Sequence, residues 1–83
     1  MEVIKTVRLN SADKTETFYS EISELDCEVK IENEDDQFLN AKSAIILFSM
    51  NLSEKLKIIA SGDKEDIEAF IHICEKYKEE GGD

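Results

Sequence analysis

Cys27-Glu28-Val29-Lys30-Ile31-Glu32 is the stretch on which the reading of this chain turns. Apolar and charged side chains alternate through it, so Cys27, Val29 and Ile31 share one side and Glu28, Lys30 and Glu32 the other. A period of two residues is that of a strand with one buried and one wet face. Asn33-Glu34-Asp35-Asp36 comes next as a polar turn, and Gln37-Phe38-Leu39-Asn40 reads as a short return strand. Residues 27–40 are therefore predicted to form a hairpin. Glu32, Glu34, Asp35 and Asp36 do not make a calcium loop, because their spacing misses the EF-hand pattern and no glycine sits at the bend.

Beyond the hairpin, residues 41–51 predict a short helix, with Ser43 a natural N-cap. Residues 55–60 are rich in Leu and Ile and predict a strand. Ser61-Gly62-Asp63 is a turn, and Asp63 can cap a helix beginning directly after it. Ile67, Phe70, Ile71, Cys74 and Tyr77 fall on one stripe, which predicts an amphipathic helix over 64–79. On the N-terminal side, Val3, Ile4, Val7 and Leu9 predict a strand over 3–9. Asp13 and Glu16 have capping-box spacing, and Phe18, Ile22 and Leu25 recur at helical intervals, so 14–25 is the first predicted helix. The order β-α-β-β-α-β-α fits an α+β sandwich whose helices gather on one face of an antiparallel sheet. Eighty-three residues suffice for one domain, 1–83, with residues 80–83 expected to fray as a tail.

Charge narrows the function. Ten Lys and Arg stand against twenty Asp and Glu, a net charge of −10, and Arg8 is the sole arginine. A chain that neutralises phosphates needs clustered cations, so nucleic acid and anionic membrane surfaces are not the expected partners. The most apolar run, residues 44–48, is far too short for a bilayer. Cys27 and Cys74 lie far apart, form no C-x-x-C pair and read as core-filling thiols of a cytoplasmic protein. One histidine, His72, and two distant cysteines offer no Ser-His-Asp, Cys-His or zinc arrangement. The expectation is a non-enzymatic chain with no cofactor and no metal, acting on a protein partner.

Asn40-Ala41-Lys42-Ser43, the apolar run through Met50, Leu56 to Ala60, and Gly62-Asp63 with Glu65-Asp66 together resemble HPr, the phosphocarrier of the bacterial sugar phosphotransferase system. The similarity covers about residues 29–77. It implies an HPr-like open-faced β-sandwich, a four-stranded antiparallel sheet with three helices on one face. The resemblance breaks at the functional loop. The family carries its phosphoryl group on the histidine of a G-[LI]-H-A-R-P-A segment where the first helix begins; here stands Asn10-Ser11-Ala12-Asp13-Lys14-Thr15. A phosphocarrier needs an imidazole lone pair and cationic or amide donors for the phosphate. Asp13 and Glu16 supply negative charge instead. The resemblance thus implies a degenerate member that regulates or binds proteins of the sugar-transport system.

Three features remain as candidates for that role. In many members of the family the serine of the N-A-K-S run is phosphorylated by a dedicated kinase, which by resemblance points to Ser43; the alternative is a plain helix cap contributing ~1 kcal/mol. Ile46, Leu47 and Met50 fit one face of the short helix and predict its buried side. Ile45 and Phe48 then fall at the outer edge, and with Lys42 and Ala44 they mark the partner-binding surface that the resemblance implies; the alternative puts Ile45 and Phe48 in the core. His72 lies opposite the apolar stripe of the last helix, near Glu65, Glu68 and Glu79, and reads as an exposed surface residue. Two further functions stay open: a ferredoxin-like small-molecule-sensing or interaction domain, which has the same element order but a different strand order, and a phosphocarrier with an atypical acceptor.

Overall fold

The computed structural model describes residues 1–33 and 35–77. The seven elements appear in the expected order: β1 (Glu2–Val7), α1 (Ala12–Ser23), β2 (Glu28–Glu32), β3 (Phe38–Asn40), α2 (Ala44–Phe48), β4 (Leu56–Ser61) and α3 (Lys64–Glu75). The expected tail, residues 80–83, and residues 78–79 of the predicted final helix lie outside the described residues, while Lys76 and Tyr77 already stand beyond the helix end. No helix among the described residues is long and apolar enough to cross a membrane.

All strands pair antiparallel in the order β1-β4-β2-β3. The last strand in sequence therefore lies between the first and second, which sets aside the ferredoxin-like alternative. Alternation decides which side of the sheet is covered. Val7, Val29, Ile31, Leu56, Ile58 and Ala60 are buried beneath the helices with Phe18, Ile22, Leu47, Ile67, Phe70 and Cys74. The opposite face presents Glu2, Ile4, Thr6, Lys57, Glu28, Lys30, Phe38 and Asn40 to solvent. Lys57 and Glu32 pair there at 3.3 Å, and Lys30 and Glu28 at 3.5 Å; such exposed pairs contribute little to stability.

Local polar groups move several element boundaries from their predicted places. β1 ends at Val7, the last residue in register with β4 (opposite Leu56); the next amide, that of Arg8, faces away from β4 and donates to the Tyr77 carbonyl (3.0 Å). Asn10 then takes φ 64°, a left-handed turn that asparagine tolerates. The cap of α1 is Ser11, not Asp13: Ser11 Oγ accepts from the Lys14 amide at 3.2 Å, and the helix begins at Ala12. Thr15, fully buried, donates its hydroxyl to the Ser11 carbonyl at 2.8 Å. The serine wins because its β-region backbone aims the hydroxyl at the third helical amide.

The predicted second helix shrinks from residues 41–51 to Ala44–Phe48. At its start, the Ala41 amide donates to the Val29 carbonyl (2.9 Å), and Asn40 Oδ1 accepts from the Lys42 amide (3.0 Å), holding a turn. At its end, the Met50 amide donates to Leu47 O (3.2 Å), and Asn51 Oδ1 accepts from Ser53. Asn and Ser side chains offer the backbone alternatives to helix at both ends.

Candidate functional site

The entry to α1 is tied down from behind, since the Asn10 amide donates to the Leu52 carbonyl at 2.7 Å. That bond joins the β1–α1 turn to the segment leading from α2 into β4. The turn presents Asn10, Ser11, Ala12, Asp13 and Lys14, all exposed. Ser11 already occupies its hydroxyl in capping, and Asp13 is the acid of the first turn. Residues 10–14 themselves include neither histidine nor arginine. His72 sits in the last turn of α3, exposed as expected.

The short helix α2 is the second part of the site. Leu47 is fully buried and clamps it to the core, with Ile46 and Met50 packed against the same cluster. This is the buried side expected from the sequence. Ile45 is 85% exposed and Phe48 44% exposed, and their i, i+3 spacing sets them on one outer side. Ala44 is half-buried. Among the described residues few large apolar side chains are this open, and two of them share a five-residue helix.

Lys42 and Ser43 lead into that helix. Lys42 is half-buried, and its ammonium donates to the Leu25 carbonyl just past the end of α1. It thus serves as a strap between the C-terminal end of α1 and the approach to α2. Ser43 has the extended backbone of an N-cap (φ −112°, ψ 117°), yet its hydroxyl makes no capping bond. The hydroxyl is half-buried and not committed to the helix amides.

Behind the site, α1 and α3 are locked together. Phe18 and Tyr77 meet edge to face with ring centroids 5.2 Å apart. Tyr77 donates its hydroxyl to Glu21 Oε1 at 2.8 Å, and the Lys76 ammonium donates to Glu21 Oε2. Burial alone would raise the Glu21 pKa, but hydrogen bonds from Lys76 and Tyr77 and the Lys76 charge outweigh it and hold the carboxyl below its ordinary value. Burial, then the bond to Glu21 and its charge, push the Tyr77 hydroxyl up. Burial also raises both thiols, Cys74 to about 12. Neither cysteine is a ready nucleophile. The described residues hold no group of three or more His, Cys, Asp or Glu able to bind a metal ion.

Solved proteins share this arrangement of strands and helices. The phosphocarrier protein HPr from Bacillus anthracis str. Ames superposes with a TM-score of 0.74, over 93% of this chain and 98% of that one, at 20% identity. The fold is that of HPr. A second structure, HPr-C-His from Thermoanaerobacter tengcongensis, agrees with a TM-score of 0.69 at 24% identity, covering 92% of each chain. No protein-family model and no curated protein matches the sequence significantly. The HPr-like expectation drawn from Asn40-Ala41-Lys42-Ser43 and the strand pattern therefore holds for the architecture.

Sequence reasoning missed two parts of the site. It places Lys42 on the partner-binding surface without its tie to Leu25, and it gives Ser11 no role at the α1 entry. The Ser11 signal was present, as a serine directly before the helical run. The Lys42 strap had none, because Leu25 lies seventeen residues away.

Proposed function

We propose that this chain is a phosphotransferase-related protein-binding module, non-enzymatic, which docks a partner through α2 and carries no phosphoryl group on histidine. The observation that carries the reading is the pair Ile45 and Phe48, open on one side of a helix pinned through Leu47. An HPr-like scaffold presents that helix beside the α1 entry, the region where the resembling family receives its partners. Apolar side chains held on a rigid element lose little conformational freedom on binding, which favours them as anchors. The α1 entry argues in the same direction. Ser11 is spent as a cap, and Asp13 opposes an incoming phosphoryl group.

Ser43 is the proposed regulatory position. Its hydroxyl is outside the capping network, so modifying it breaks no helix bond. A phosphate there would bring close to two negative charges beside Ile45 and would compete with the Leu25 carbonyl for the Lys42 ammonium. Partner choice would change because an apolar anchor would acquire an anionic neighbour.

The test is incubation of the chain with enzyme I of the phosphotransferase system and phosphoenolpyruvate, read by intact mass at neutral pH. No adduct is expected. A phosphoryl group found on His72 would replace this reading with that of a carrier using an unusual acceptor.

A further inference from the structure

The order β1-β4-β2-β3 leaves β1 as an edge strand, and the hydrogen-bond phase of the β1–β4 ladder shows which of its groups are open. The Gly62 amide donates to the Met1 carbonyl at 2.9 Å, continuing the register Glu2↔Ser61 and Val3↔Ala60. In an antiparallel ladder, bonded and non-bonded pairs alternate. Met1, Val3, Lys5 and Val7 therefore bond to β4, while Glu2, Ile4 and Thr6 turn their amides and carbonyls outward. Arg8 is next in that outward series, and its amide is already taken by the Tyr77 carbonyl. The open edge thus runs from Glu2 to Thr6 and is closed beyond it.

We infer that this edge pairs with the β1 edge of a second copy of the chain, antiparallel about a two-fold axis at Ile4, joining two four-stranded sheets into one of eight strands. Register selects this arrangement. Centring on Ile4 sets Ile4 opposite Ile4 of the second copy and Glu2 opposite its Thr6, so all three outward residues pair and no like charges face each other. Centring on Lys5 sets two lysines opposite one another and calls on the occupied Arg8 amide. Centring on Val3 sets the apolar Ile4 opposite Glu2, and centring on Glu2 opposes two carboxylates.

Side chains on the open face support the same register. Ile4, 54% exposed, lies beside Ile59 of β4. Across the join the row reads Ile59, Ile4, Ile4, Ile59, so each exposed Ile4 gains an apolar cross-strand neighbour. In the neighbouring row, Thr6 lies beside Lys57. Glu2 of one copy then looks over the small Thr6 of the other toward that copy's Lys57, and the mirror contact forms by symmetry. These local pairings oppose the repulsion between two chains of net charge −10, so association strengthens with salt.

The test is sedimentation velocity over a concentration series, at low and high sodium chloride, with backbone hydrogen exchange on the same samples. Wild-type protein is expected to dimerise reversibly, more tightly at high salt, with slowed exchange at the Glu2, Ile4 and Thr6 amides. Ile4→Pro removes an amide that β4 does not use, so the intramolecular ladder survives. That variant is expected to remain monomeric with an unchanged circular dichroism spectrum, and Ile4→Lys is expected to do the same. The inference is overturned if the wild type is monomeric at high salt and high concentration. It is equally overturned by a dimer that Ile4→Pro leaves intact, or by one in which those three amides exchange freely. Loss of dimer in Ile45→Asp but not in Ile4→Pro would overturn it by assigning self-association to α2.

Discussion

Replacing Ile45 by aspartate is the sharpest probe of the α2 surface, and the geometry shows why it is cleaner than the same change at Phe48. A phenylalanine presents roughly 200 Å² when fully open, and Phe48 is 44% exposed. About 90 Å² therefore remains for a partner, and about 110 Å² is already used in the fold. At ~25 cal/mol per Å², this amounts to ~2 kcal/mol of docking and ~3 kcal/mol of folding. Phe48→Asp should thus lower the melting temperature by roughly 10–20 °C, and lost binding would be confounded with lost structure. Ile45 is 85% exposed. Full burial of an isoleucine contributes about 1.5–3 kcal/mol, so the partner gains about 1.3–2.5 kcal/mol from it and the fold less than ~0.5 kcal/mol. Ile45→Asp should then weaken partner affinity by about tenfold to seventyfold, with the desolvated carboxylate adding to the loss. Its melting temperature should fall by no more than ~3 °C. The assay is titration of the captured partner into each variant, alongside differential scanning fluorimetry. Affinity unchanged within about twofold in folded Ile45→Asp would refute docking through this helix.

Other consequences concern the scaffold. An ideal Cβ at Gly62 would lie 2.6 Å from Cys27 Cβ and 3.1 Å from its Cα, so Gly62→Ala must push the β4–α3 turn away from Cys27. We expect a loss of about 1–3 kcal/mol in urea unfolding, and a neutral result would show that this turn yields freely. Ser11→Ala removes the hydroxyl that accepts the Lys14 amide and should cost ~1 kcal/mol by the same measurement, whereas Asp13→Ala should spare the cap. Alkaline stability depends on Cys74, whose pKa rises from 9.0 to about 12 on folding. The unfolded thiol ionises first, so its contribution is complete below pH 9 and is lost as pH climbs toward about 12. Cys74→Ala should flatten the fall in stability across that window, and an equally steep fall would assign it to other groups such as Tyr77.

Much of the architecture was legible because short-range periodicity and burial answer to the same cause. Cys27, Val29 and Ile31 alternate with charges and are buried; Ile67, Phe70, Cys74 and Tyr77 recur at helical spacing and are buried. Ile45 and Phe48 could be placed at the outer edge of α2 because a short helix on a sheet can bury only one stripe. Boundaries were less legible. Whether Ala41 begins a helix or extends the sheet depends on the Val29 carbonyl twelve residues earlier, and the bond that closes the outer edge past β1 depends on the Tyr77 carbonyl.

By itself, then, the order of apolar and polar residues determined seven elements, their sequence along the chain and their inward faces, and composition fixed a net charge of −10. Tertiary structure alone decided that β4 enters between β1 and β2, that Lys42 reaches Leu25, and that the amides of Glu2, Ile4 and Thr6 are left at an open edge. The division has a physical reason. Solvent acts on each side chain locally and leaves its imprint as periodicity, whereas backbone hydrogen bonds between distant segments carry almost no residue-specific mark.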